Sequence, residues 1–420
     1  MAGVPRFFRV RQSYPRPKVS DISQRVHEQL RAAQVDRRIA PGKTVAITAG
    51  SRGVANISTI IKGCADFVKS INAIPVIIPA MGSHGGATAE GQRGVLASYG
   101  ITEQTMGCEI RSSMEVVELV RAAEGFPIYF DRNARQADCV LVVNRVKPHT
   151  RFSGPIESGL MKMMLIGLGK QRGAEVYHRA IMNYSFDQIV RLVARTVIEQ
   201  CNVVGGLAIL ENAYEETADI VGIAPEQIET REAELLTRVK QLVPKLPFDH
   251  AEVLIVNELG KNISGSGMDT NVIGRKYNDR AAAETETPKI HNIYVRSLTE
   301  ATHGNASGIG IAEFCHRRVV EQIDSTITRM NCVTAGHAAA AMLPLDYPTD
   351  LAALEVAFNQ AGLHSTESVP AMWIPNTLHI SEVECSEGLW NQARENSQLE
   401  ILSEPTQLQY NSTNDLVNRF

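Results

Sequence analysis

KTVAITAGSRGVANISTIIKGCADFVKSINAIPVIIPAMGSHGG, residues 43–86, is the stretch that decides the fold. KTVAIT (43–48) is a short apolar run closed by Gly50, the pattern of a strand buried on both faces. Residues 55–70 carry Ile57, Ile60, Ile61, Ala65 and Val68 at helical spacing. PVIIP (75–79) is a second buried strand, and it ends in the turn-rich AMGSHGG. A strand, a helix and another strand in so short a span predict a βαβ unit and a parallel sheet.

The same alternation continues outward. A helix is expected over 88–98, strands near 108–111, 127–130 and 138–144, helices near 171–181 and 186–201, and a buried strand in GGLAIL (205–210). An amphipathic helix over 228–243 leads into KLPFDHA (245–251), which reads as a linker. EVLIVNELG (252–260) opens a second domain containing NIYVRSL and helices near 311–324 and 350–361. The expected architecture is α/β, with mostly parallel sheets flanked by helices: an N-terminal domain over 1–247, a C-terminal domain over 248–400 and a polar tail over 401–420. A chain of 420 residues is longer than one core usually holds, which favours two domains. The N-terminal MAGVPRFFRVRQSYPRPK reads as an ordered arm or short tail, since it lacks the apolar core of a secretory signal.

Composition excludes several classes. Net charge is -4, with 21% charged and 44% hydrophobic residues, so there is no electrostatic case for nucleic acid or a membrane surface. The richest apolar run, Leu160 to Leu168, is too short to span a bilayer and is broken by Lys162 and Gly167. Seven cysteines are scattered singly with no C-x-x-C pair, which argues against a zinc finger and fits a cytoplasmic protein.

Two clusters concentrate reactive side chains. MGSHGG (81–86) sets His84 among glycines at the carboxyl end of a strand, where open α/β sheets bind ligands. Gly82, Ser83, Gly85 and Gly86 let the backbone approach a cofactor and offer it N–H groups; the plain alternative is a tight turn with a surface histidine. NRVKPHTRFSGPIESGLMKMMLIGLGKQRGAEVYH (144–178) follows the strand DCVLVVN and gathers His149, Lys162, Lys170 and His178. Lys162 lies among residues too apolar for an ordinary surface helix; it is either a site lysine or one that snorkels to water. Weaker cues are Arg52 in TAGSRG and Lys261 in ELGKNISGSGMD, each with a plain surface reading beside it. His303 in THGNASGIG reads as a loop residue.

Taken together, SRG, AMGSHGGAT, VNRVKPHT and ESGLMKMMLIGLGKQRGAEVYH resemble the nickel-dependent lactate racemase family over most of 40–220. The resemblance implies two α/β domains with the active site between them, and a nickel-pincer nucleotide as cofactor. By position, Lys162 resembles the lysine that attaches the cofactor, and His178 the histidine that ligates nickel. His84 and His149 resemble the two acid/base histidines, and Arg52 the arginine that orients the substrate. Lys170 and the glycine turn are expected at the cofactor, and Lys261 resembles, loosely, a lysine that pairs with the substrate carboxylate. Where lactate-specific members carry Asp three residues before the arginine, this chain has Ala49.

The chemistry suits these residue types. The α-proton of a 2-hydroxy acid is barely acidic beside a carboxylate, so leaving as hydride avoids a carbanion. Histidines near neutral pKa can exchange the hydroxyl proton. The expected activity is inversion at the 2-hydroxy carbon of a small acid, with a short aliphatic substrate favoured by Ala49. Cofactor-maturation proteins are the expected partners, and a homo-oligomer is left open. The competing readings are a 2-epimerase of a larger polyhydroxy or dicarboxylic acid and a non-catalytic cofactor-binding protein. A nicotinamide dehydrogenase lacks support, because no G-x-G-x-x-G joins a first strand to its helix.

Overall fold

A computed structural model describes residues 3–51, 53–277, 279, 282–363 and 365–420. Its contacts divide the chain into two compact units, Pro15–Val243 and, separately, Pro244–Phe420 together with the residues up to Tyr14.

Within Pro15–Val243, six strands among the described residues form one sheet. Their order is Glu109–Ile110, Ile74–Pro79, Thr44–Ala49, Cys139–Arg145, Val203–Glu211 and Thr217–Ile223. The first five run parallel and the last returns antiparallel. Alternate residues explain the unbroken apolar strands. Ala46, Val76, Ile78, Val140 and Val142 face one cluster, which contains Leu160, Met164, Leu165, Val190 and Val193. Val45, Ile47, Ile77, Leu141 and Val143 face the other, which contains Val26, Leu30, Ile60 and Ile61. With both faces covered there is no polar side to alternate with. The α/β expectation therefore holds, and the helices Ile57–Ser70, Ala89–Ser98, Phe186–Gln200 and Ile228–Val239 lie where their periodicity predicts.

The second unit holds an eight-stranded sheet among the described residues. It is parallel from Leu345–Tyr347 through Phe314–His316, Lys289–Leu298 and His250–Leu259 to Ala371–Ile374. Glu382–Ser386, Phe7–Gln12 and Leu399–Ile401 complete it antiparallel. Three expectations are corrected here. The chain start does not belong to the first unit: Phe7, Phe8 and Val10 are fully buried in the second sheet, through a pairing too distant in sequence to read. The helix near 311–324 is instead the strand Phe314–His316 followed by the short helix Arg317–Gln322. The tail over 401–420 is docked: Leu408 and Leu416 are buried, Arg419 pairs with Glu384 at 2.9 Å, and Phe420 meets Trp373 edge-on.

Among the described residues no helix is long and apolar enough to cross a membrane. All seven cysteines are free, and six of them are buried, as small core residues are.

Candidate functional site

The strand order of the first unit locates the site. From Thr44–Ala49 the chain builds outward on one side through Ile74–Pro79, then crosses to the other side with Cys139–Arg145. The order reverses between Thr44–Ala49 and Cys139–Arg145, and ligands bind at the carboxyl ends of strands flanking such a reversal. The two strands pair only as far as Ile47 and Leu141. Beyond that the buried Thr48 hydroxyl takes over, accepting from Val143 N at 2.8 Å and donating to Val143 O at 3.1 Å. The loops that leave these two strand ends carry Ser51 and His149, and the turn after the neighbouring strand Ile74–Pro79 carries His84. Arg52 lies outside the described residues.

His84 is exposed in the turn after Ile74–Pro79, and its Nδ1 is hydrogen-bonded to the Ser51 hydroxyl. Tyr99 in turn donates to Ser51 O at 2.5 Å. Two of the turn glycines have structural reasons. Gly82 has φ of 61° and a Cβ there would sit 3.0 Å from Ile166; at Gly85, with φ of 69°, it would lie 2.6 Å from the Gln92 backbone. Gly86, also at positive φ, faces open space, and Ser83 is exposed.

The apolar run 160–168 is not a surface helix. Leu160–Lys162 forms one turn, and Met163–Gly167 continues as a wider π-helical turn, a distortion frequent at functional sites. Leu160, Met161, Met163, Met164, Leu165 and Leu168 are buried against the sheet, while Lys162 remains half-exposed. Its surroundings meet the His84 turn, since Gly82 N donates to Gly167 O at 3.4 Å. His178 lies in the last turn of the helix Lys170–Ala180. Burial, then the charges of Lys162 and Arg151, pushes its imidazole below the ordinary value. The shift favours the neutral imidazole, the form that can ligate a metal.

His149 is half-buried after Cys139–Arg145. Its ring stacks on Phe152 at 4.6 Å, and Phe152 stacks on Phe186 at 4.4 Å. Its backbone N–H donates to the buried Glu157 at 2.7 Å, and Lys240 donates to the other Glu157 oxygen at 2.7 Å.

Two sequence readings change. Lys170 is no cofactor ligand: its side chain is fully buried, with Nζ 3.0 Å from Asp131 Oδ2 and donating to Gln92 Oε1 at 3.0 Å and to Pro79 O. Two of its three ammonium protons go to these carbonyl oxygens, and Asp131 stands beside them as the counter-charge. Burial pushes Lys170 down and Asp131 up, each opposed by the other's charge. Gln92 also donates to Gly82 O at 2.9 Å and His84 O at 3.3 Å, so Lys170 props the histidine turn from below. Ala49 is fully buried in the cluster with Ile57, Ile60 and Ile77, so its side chain says nothing about the substrate. Lys261 lies in the second unit, as its place after EVLIVNELG predicts, and its Nζ donates to Gly265 O at 2.7 Å.

Sequence reading missed Glu232. This fully buried carboxylate accepts from Met161 N at 3.0 Å and so caps the turn carrying Lys162; a Cβ on Gly159 would lie 2.5 Å from it. Burial raises its pKa to about 7. The only sequence signal was a glutamate on the buried face of an amphipathic helix. A second cluster, His316, Asp350 and Asp415, has metal-like geometry, but Arg296 and Arg318 already pair with the two carboxylates, which explains it as a tail anchor.

No family model matches the sequence, and no curated protein does. Among solved structures, a Thermotoga maritima structural-genomics protein is similar with a TM-score of 0.46 and 13% identity, covering 65% of this chain and 70% of its own. The lactate racemase apoprotein from Thermoanaerobacterium thermosaccharolyticum is similar with a TM-score of 0.55 and 14% identity over 87% of this chain and 94% of its own, and the likeness establishes a shared fold.

Proposed function

We propose that the chain is a 2-hydroxy acid racemase or epimerase that works with a nickel-pincer nucleotide. The carrying observation is that the turn bearing Lys162 is tied both to the end of Cys139–Arg145, where Asn144 donates to Gly159 O at 2.7 Å, and to the His84 turn, where Gly82 N donates to Gly167 O at 3.4 Å, while burial and then Lys162 and Arg151 lower the pKa of His178. Those residues suit the cofactor. A neutral imidazole is a good nitrogen donor for nickel, and two cations suit the anionic groups of a nucleotide. Lys162 and Arg151 hold the cofactor and His178 ligates its metal. When bound, the cofactor supplies a reversible acceptor for the hydride of the hydroxyl-bearing carbon, leaving a flat 2-keto acid.

The protein's own residues bind the acid, orient it and manage the hydroxyl proton. Arg52, two residues beyond Gly50 in the sequence, is the expected partner of the substrate. His84 and His149 act on the substrate oxygen. A storage role for the same fold needs neither histidine. Protein loaded with nickel and the cofactor is incubated with single enantiomers of a panel of 2-hydroxy acids and followed by chiral chromatography. Interconversion of at least one small acid is expected, with loss in His84→Ala of about 10²- to 10⁴-fold. Stoichiometric cofactor without any interconversion would leave a binding protein.

A further inference from the structure

The two histidines are not equivalent. At His149 the side chain folds back on its own loop, and Nδ1 accepts two backbone protons, from Arg151 N at 3.0 Å and Phe152 N at 3.2 Å. A backbone amide can only donate, so Nδ1 carries a lone pair and the single proton of the neutral ring sits on Nε2. Moving that proton to Nδ1 would set an N–H against two other N–H groups and forfeit both bonds. Stacking on Phe152 and the Glu157 bond to His149 N fix the ring and its loop.

The chain uses this device a second time. His316 Nδ1 accepts from Arg318 N at 3.0 Å, and its Nε2 lies 2.9 Å from the Asp415 carboxylate, to which it donates. There the folded-back imidazole presents Nε2–H to an oxygen. His84 is different. Its Nδ1 is bonded to the Ser51 hydroxyl, which can both donate and accept, so this bond admits either tautomer.

We propose that His149 acts on the substrate oxygen as a hydrogen-bond donor through Nε2–H and keeps its proton through turnover, while His84 exchanges the hydroxyl proton. This rests on the function proposed above and breaks the symmetry of a two-base scheme. A neutral imidazole donor polarises a carbonyl without becoming charged, so His149 favours the 2-keto acid from one side and His84 does the acid–base work.

Two measurements test it. The first needs no cofactor: long-range proton–nitrogen NMR of protein labelled with ¹⁵N-histidine at pH 7. His149→Asn assigns the signals, since its amide oxygen can accept the same two backbone protons and keep the loop; His149→Gln serves should that variant fold poorly. A pyridine-type Nδ1 and a pyrrole-type Nε2 at His149 are expected. A protonated Nδ1 overturns the proposal. The second compares loaded variants. His149→Gln, which can donate from near the Nε2 position, should retain at least tenfold more kcat than His149→Ala, whereas His84→Gln should be no better than His84→Ala. Equal losses in the His149 pair also overturn it. If the loaded wild-type protein turns over no 2-hydroxy acid, the function falls, and the NMR result still decides the tautomer.

Discussion

Replacing Lys170 with methionine separates a structural lysine from a ligand-binding one. The substitution keeps the apolar stem and removes the charge. Asp131 then stands buried with no cation, and Gln92 Oε1 and Pro79 O each lose a donor. Breaking one side of a buried pair costs about 3–5 kcal/mol. For a unit of this size each kcal/mol moves the melting temperature by about 2–4 °C. Lys170→Met should therefore lower the unfolding transition of the Pro15–Val243 unit by about 6–20 °C, read by calorimetry. Pairing it with Asp131→Asn should recover much of the loss. The amide still caps Ala134 N, as Asp131 Oδ1 does at 2.8 Å, and no bare charge remains. Because Gln92 holds Gly82 O and His84 O, amide exchange in 81–88 should quicken in the single variant. A single variant melting within about 2 °C of the parent would refute the reasoning, because a buried ammonium at the centre of this network cannot be removed at so little cost.

Glu232 should leave a signature in pH. Its folded pKa of about 7 lies above its ordinary 4.5, so its contribution is fully present below the lower value and is lost as pH rises to the upper. Relative to Glu232→Gln, the wild type should lose about 3 kcal/mol across that window, measured by urea unfolding at both ends; parallel curves would contradict the burial. His178→Ala should abolish bound nickel by elemental analysis while leaving circular dichroism unchanged. Intact mass spectrometry of cofactor-loaded protein should show whether Lys162 carries an adduct, and Lys162→Ala should lose the nucleotide in either case. Truncation after residue 400 should leave the second unit insoluble, since it strips Asp415 from His316 and uncovers Trp373.

The sequence by itself determined the α/β class and the placement of most helices and strands in residues 43–260. Those elements are written in local periodicity, and strands covered on both faces are uniformly apolar. It also singled out His84, His149, Lys162 and His178, because histidines and a lysine amid glycines and buried aliphatics are conspicuous along a chain. What those residues do was decided by tertiary contacts. Lys170 read like Lys162 until Asp131, some forty residues earlier in the chain, was found against its ammonium. Ala49 looked like a specificity position, yet strand pleating turns its side chain into the core. Phe7–Gln12 joined the second sheet, and Thr406 of the tail met Phe7, through pairings almost a whole chain length apart, and no local pattern records such pairing. The tautomer of His149 likewise depends on how one loop folds back on a ring. A side chain's protons and charges are set by what surrounds it in three dimensions, and residue type fixes only which states are available.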